Sequence, residues 1–221
     1  MSAVRVLRAG GLWFDGIDDY VSVPRSPSLN LSMGLTLMAR VYAVRWPPQY
    51  CILDRNGYYA IGFYGGRMWS WLRLPTTVRG SPTSRNLNTW YHIAVTYDGV
   101  TRKHYVNGSL DGSWVENAPL EVYDSVRLII GANANDSDRA EAAPSGFFNG
   151  IIDDVRIYNR ALTADEIGAI YERGALIRDG LVLHLDFSEY EGNIAYDKSG
   201  CGNHATLYGA RWVVKKALYR M

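Results

Sequence analysis

Apolar residues recur at every second position through much of the chain. LTLMARVYAV (35–44) sets Leu35, Leu37, Ala39, Val41 and Ala43 on one side, and WYHIAVTY (90–97) sets Tyr91, Ile93, Val95 and Tyr97 on one side with Trp90, His92, Ala94 and Thr96 on the other. YYAIGFY (58–64), RMWSWLRL (67–74), RKHYVNG (102–108) and VRLIIGA (126–132) repeat the pattern. A period of two belongs to a β-strand, whose successive side chains point to opposite faces of a sheet. Between the runs stand Asn56-Gly57, Gly65-Gly66, Asp98-Gly99, Asn107-Gly108 and Asp111-Gly112, dipeptides that accept the positive φ of tight hairpin turns. Many short strands divided by such turns predict an all-β fold, an antiparallel β-sandwich or jelly roll.

One segment breaks the period. In LTADEIGAIYERG, Thr163 and Glu166 form a capping box, Ile167, Ile170 and Tyr171 make an apolar stripe, and Gly174 supplies the stop. The spacing predicts one short helix against an edge of the sandwich. At 221 residues, 48% hydrophobic and 20% charged, the chain has the material for a sizeable core. A net charge of +1 gives no general pull toward nucleic acid or anionic lipid, and no basic run interleaves with the aromatics. No apolar run reaches the roughly 18 residues of a membrane-spanning helix. The opening MSAVRVLRAGGLWF lacks the apolar core of a signal peptide.

Candidate chemistry is sparse. Cys51 and Cys201 could form one disulfide but have no metal-binding spacing. His92, His104 and His184 fall within predicted strands, where a hydrogen-bonded sheet histidine is expected, and His204 completes the set without a metal pattern. No nucleophile elbow, P-loop or zinc-protease motif is present. Seven tryptophans and sixteen tyrosines are many for this length. Tyr58, Tyr59, Phe63, Tyr64, Trp69 and Trp71 surround the Gly65-Gly66 hairpin. Trp69 and Trp71, two apart, share a face, as do Tyr58, Ala60 and Gly62. If that face is exposed, Tyr58, Tyr64, Trp69 and Trp71 make a sugar-stacking groove; if it meets the partner sheet, they are core.

FDGIDDYVSVP (14–24), NTWYHIAVTYDG with KHYVNG, and IIGAN with GFFNGIIDDVRIYNRALTADEI, in that order, resemble the laminin-G-like, concanavalin A-like lectin/glucanase jelly-roll family. The resemblance covers nearly the whole chain and implies a single domain over residues 1–221. It also implies an altered order. GLVLHLDFSE (180–189) reads like an opening strand, and residues 180–212 match the segment with which such domains usually begin. The chain is therefore expected to be a circular permutant, or one repeat cut from an endless array. Its termini either pair within one molecule or exchange between molecules to build a filament, with AVRVL (3–7) and RWVVKKALYRM (211–221) as the candidate exchanging strands.

The resemblance further implies a structural calcium site near the sandwich edge. Asp15, Asp18 and Asp153 are the expected ligands, with Asp19 and Asp154 next to them; the competing reading has these carboxylates capping turns and strand ends. NANDSDRAE (133–141) is a second oxygen-rich stretch. Glucanases of this fold use an ExDxxE strand that does not occur here; the nearest set is Asp186, Glu189 and Glu191. The expectation is a non-catalytic attachment protein, extracellular or on a virion surface, that binds cell-surface or polysaccharide glycans. It is expected to form a homo-oligomer or filament, with no nucleic-acid partner and no membrane insertion. The alternative is a polysaccharide-active hydrolase or lyase.

Overall fold

The alternating runs fold as strands, paired antiparallel throughout. The computed structural model describes residues 10–46, 50–121, 126–135 and 142–213. The run 3–7, tail residues 214–221 and loop residues 136–141 lie outside the described residues. In chain order the strands are β1 (Leu12–Asp15), β2 (Tyr20–Val23), β3 (Leu35–Ala43), β4 (Tyr50–Arg55), β5 (Tyr59–Tyr64), β6 (Arg67–Leu72), β7 (Val78–Ser84) and β8 (Trp90–Tyr97). There follow β9 (Thr101–Val106), β10 (Ser109–Val115), β11 (Leu128–Ile130) and β12 (Asn149–Tyr158), then the helix α1 (Ala164–Arg173). The chain closes with β13 (Leu181–Leu185), β14 (Ile194–Ala195), β15 (Ala205–Tyr208) and β16 (Arg211–Trp212).

Two eight-stranded sheets result. The first runs β10-β9-β8-β3-β12-β1-β16 with β13 also on β12, and the second runs β14-β15-β2-β11-β4-β5-β6-β7. Their inward side chains, among them Phe14, Leu37, Phe63, Val95, Ile130 and Ile152, form one buried cluster between the layers. Each such side chain contributes about 1.5–3 kcal/mol by leaving water. This is the antiparallel jelly-roll sandwich that the periodicity predicts.

The sheets meet at the β7 and β10 edges, and the seam is polar. Arg85 Nη2 lies 2.5 Å and Thr83 Oγ1 3.0 Å from the Asp111 carboxylate, and Arg79 Nε lies 2.8 Å from Glu116. Asp111-Gly112 is therefore not the turn expected of it. It sits within β10 at a bulge between Leu110 and Gly112, which turns the Asp111 carboxylate toward β7. Below the seam the fully buried Arg102 donates to the carbonyls of Thr76 and Thr77 at 2.7 and 3.1 Å and pairs with Glu116 at 3.2 Å. His104 is held between Ser70 Oγ, 2.7 Å from Nε2, and Ser81 Oγ, 3.0 Å from Nδ1. A neutral ring donates at one nitrogen and accepts at the other, so the two serines satisfy it completely.

The last strands complete both sheets. β12 carries β1 along its first half, with Leu12 opposite Ile152, and β13 along its second, with Leu185 opposite Val155. β15 covers β2, and β16 lies outside β1. The connection through residues 196–204 is organised by the buried Asp197 carboxylate. It accepts from the amides of His184, Ser199 and Asn203 at 2.9–3.0 Å and from Ser199 Oγ at 2.7 Å. The Asn203 side chain donates onward to Val182 O and Ser28 Oγ.

The helix forms where its caps predict. Thr163 and Glu166 make the reciprocal capping box, and Gly174 closes the C-terminus in the left-handed region at φ 63°. Ile167 and Ile170 pack with Met38, Ala94, Tyr105, Tyr158 and Leu181 on the outer side of the first sheet. Tyr171 reaches the β9–β10 turn and lies 5.9 Å, ring to ring, from His92. His92 departs from expectation, because neither ring nitrogen has a hydrogen-bond partner among the described residues.

Two outcomes test this packing. Asp197→Ala should lower the stability read from urea unfolding by about 2–4 kcal/mol, since it strands buried donors. Burial pushes His92 down to about 4 against the opposing charge of Asp154, and pushes His104 down to about 3. An unfolded histidine protonates near 6.5, so below that pH the unfolded chain binds protons that the folded chain refuses. Stability should be full above about pH 6.5 and fall as the pH drops toward 4. His92→Leu should flatten part of that decline in urea midpoints measured from pH 7.5 to 4.5.

Candidate functional site

The outer face of the second sheet is shaped by unequal side chains in register. One row across the strands reads Asp54, Ala60, Trp71, Val78, and the next reads Cys51, Gly62, Trp69, Gly80. Small residues on β5 beside indoles on β6 leave a trough. It holds about 580 Å³ and is lined by Tyr64, Arg67, Trp69, Trp71, Asp54 and Asn133, with Cys51, Ala60 and Gly80 among its further walls.

Trp69 packs against Cys51 and Ala60, with Trp71 on the same cluster and more exposed. Trp69 Nε1 finds no acceptor among the described residues. Tyr64 stands 62% exposed at one end. Asn133 and Ala134 close the opposite wall, tied down by Cys51 N donating to Asn133 Oδ1 at 3.1 Å and Ala134 N donating to Asp54 Oδ2 at 2.9 Å. Burial pushes the Cys51 thiol well above its ordinary range. Cys51 and the exposed Cys201 are both free thiols, so the disulfide left open by the sequence does not form.

Of the four aromatics expected at such a groove, Tyr64, Trp69 and Trp71 line it and Tyr58 does not. Tyr58 precedes β5 in the turn closed by its own N–H to Arg55 O, so it escapes the strand's alternation. Its ring is buried in the core under the guanidinium groups of Arg55 and Arg73. Asp54, Asn56 and Asn133 were not expected. Asp54 and Asn56 come with the β4–β5 hairpin, whereas Asn133 reaches the site only because β11 pairs with β4, a contact that links positions some eighty residues apart.

The acidic residues divide differently from expectation. Asp15, Asp18 and Asp19 place one carboxylate oxygen each within 4.8 Å of one another. Asp19 Oδ2 accepts from Asp15 N at 2.8 Å, and Asp15 Oδ1 accepts from Ile17 N at 2.8 Å. Burial raises the Asp19 carboxyl above its ordinary value, and the charges of Asp15 and Asp18 push it the same way. Gly209 crosses so close that a Cβ there would sit 2.0 Å from Asp19 Oδ1. Asp153 is not part of this group. β1 and β12 are antiparallel, with Asp15 opposite Asn149 and Leu12 opposite Ile152, so the two similar Asp-Asp motifs lie at opposite ends of the pair. That leaves Asp153 about 13 Å along the strand from Asp15.

Asp153 and Asp154 instead form a bulge against β3. Arg40 pairs with Asp153 at 2.9 Å, and burial raises the Asp153 carboxyl to about 6 despite that cation. Asp154 adopts φ 47° and meets the Arg156 guanidinium at 2.7 and 2.9 Å and His184 Nε2 at 3.0 Å. Burial alone would raise the Asp154 carboxyl, but these partners outweigh it and hold it far below the usual range. The set Asp186, Glu189 and Glu191 follows β13 in a loop. There Glu189 pairs with Lys198 at 3.0 Å and accepts from Tyr196 N at 3.1 Å.

The sequence profile of the concanavalin A-like lectin/glucanases superfamily, laminin-G type, matches residues 15–168. No curated protein sequence matches the chain at a significant level. Among solved structures, a Bacteroides ovatus protein described as carbohydrate-binding is similar at TM-score 0.74 and 18% identity, over 94% of this chain and 60% of its own. A heptameric SAP-like pentraxin from Limulus polyphemus is similar at TM-score 0.64 and 15% identity, over 90% of this chain and 94% of its own. The fourth domain of an extracellular arabinanase from Geobacillus stearothermophilus, in complex with arabinotriose, is similar at TM-score 0.52 and 18% identity, over 73% of this chain and 87% of its own. The two tight-turned sheets, the capped helix and the profile over residues 15–168 together make this chain a member of the concanavalin A-like lectin/glucanase superfamily.

Proposed function

We propose that this chain is a non-catalytic glycan-binding module that serves attachment, outside the cell or on a virion surface. The observation that carries the reading is the trough of about 580 Å³ walled by Trp69, Trp71 and Tyr64 on the outer face of the second sheet. Sugar rings lay their C–H faces on such side chains, while Asn56, Asn133, Asp54 and Arg67 offer polar partners around the rim. Two structural neighbours, the Bacteroides protein and the arabinotriose-bound domain, carry descriptions in keeping with it. Glu189, the central carboxylate of the alternative hydrolase reading, is engaged by Lys198, which disfavours it as a free acid or nucleophile. Self-assembly by strand exchange would draw on residues 3–7, outside the described residues; within the described tail, β16 pairs with β1 of the same chain.

We also propose that calcium, the ion of this family, binds Asp15, Asp18 and Asp19. The three offer only hard oxygen donors, and their mutual repulsion is what a divalent cation offsets. The ion would fix the β1–β2 turn and so act structurally.

On an array of immobilised glycans the protein should be retained, and Trp71→Ala should lose retention by about tenfold or more while its thermal midpoint stays within a few degrees. Full retention by that variant would remove the trough from the reading. For the ion, calcium should raise the thermal midpoint of the wild type over that in EDTA. Asp18→Asn should abolish this response and, in EDTA, unfold at or above the wild-type temperature, because it removes one of three crowded charges.

A further inference from the structure

Gly80 occupies the middle of β7, the outermost strand of the second sheet, directly across from Trp69. Nothing in the fold requires glycine there. Its φ lies outside the left-handed region that other residues avoid. A Cβ built on it would meet nothing within 4 Å, whereas at Gly112 it would strike Trp114 and at Gly131 it would strike Phe14, each at 2.3 Å. Glycine is a poor strand residue, having no side chain to pack and the most conformational freedom to lose. On an exposed strand it is a cost with no return in this chain's own packing.

The cost falls where the trough opens. Gly80 lines it, and β7 has no further strand beyond it in the second sheet. Val78 and Trp71 stand in the row to one side, and Arg67 lies to the other, two residues before Trp69 on β6. A bare backbone between taller neighbours forms a gap in the trough's rim. A peptide strand is a poor occupant of that edge, because Pro82, two residues on, has no N–H to donate to an added strand.

Resting on the glycan reading above, we propose that Gly80 is the exit of the binding trough: the bound chain crosses the bare backbone of β7 and continues past the sheet edge. The bound polysaccharide then extends beyond the site on this side, and Gly80 sets that specificity by leaving room for the next sugar. Interior glycine in a strand marks a bulge or a close approach, and Gly80 itself stays in register with Trp69, with the bulge falling beyond it toward Ser84.

The test compares the wild type, Gly80→Ala, Gly80→Val and Trp71→Ala in native gels containing linear arabinan, xylan or mixed-linkage β-glucan, alongside thermal unfolding. Gly80→Val should unfold at the wild-type temperature or above it and lose retardation by about tenfold or more in the polymer that retards the wild type, with Gly80→Ala between. If Trp71→Ala loses retardation while Gly80→Val keeps it, the exit is wrong and the glycan reading stands. A marked fall in the midpoint of Gly80→Val would make Gly80 a structural residue and overturn the inference. A wild type that runs freely in every gel removes both.

Discussion

The fold depends on one strand having two neighbours on the same side. β12 is ten residues long, and β1 lies along its first half while β13 lies along its second. These two short strands come from opposite ends of the chain, so the first sheet is complete only when both ends have arrived. The second sheet repeats the demand, since β2 pairs with β15 from the tail. Closing such long loops costs entropy before any contact repays it. The Asp197 carboxylate, with four donors converging on it, makes the returning segment rigid enough for its short strands to hold register.

The junction on β12 explains the buried charges. Where β1 gives way to β13 the strand bulges at Asp153–Asp154, and the extra residue takes a positive φ that a non-glycine side chain resists. Asp154 tolerates it because Arg156 and His184 clamp the carboxylate from two strands. Two buried acids and their cations add little net stability against an apolar packing of the same volume. They do fix which residue bulges, and with it the register of β1 and β13. The Asp-Asp pair that resembles a metal-binding motif is here paired with Arg40, Arg156 and His184 at the bulge.

The two-residue period is legible wherever a strand has one face in the core, and it located β3, β5, β6, β8, β9 and β11 directly. It gave no sign of β7 or β10. VRGSPTS and SLDGSWV have little apolar alternation, because these strands meet each other through Arg79, Arg85, Asp111 and Glu116 and not through a shared apolar layer. The helix could be read to its last residue, since caps are local chemistry. Half of the groove could be read as well: Trp69 and Trp71 lie two apart on one strand, and strand geometry alone puts them together. Asn133 could not, because only the pairing of β11 with β4 brings it beside the groove. The sequence likewise put Asp153 with Asp15 and Asp18, but two similar motifs on antiparallel strands point their matching residues apart.

The two outer faces of the sandwich are finished differently. On the first sheet, Ile167 and Ile170 of the helix cover Met38, Ala94 and Tyr158, and the Asp154 cluster fills the space beyond. On the second sheet no helix lies over the corresponding surface among the described residues, yet its side chains are indoles beside glycine and alanine. Large aromatics on a bare sheet would normally invite another sheet or an aggregate. Here Trp69 is sunk among small neighbours, and the β7 edge beside it carries proline and charged partners that discourage an added strand. The surface is shaped to accept something narrow and to refuse something flat. The glycan chain proposed above, one ring wide, would meet that condition, and a second β-sheet would not.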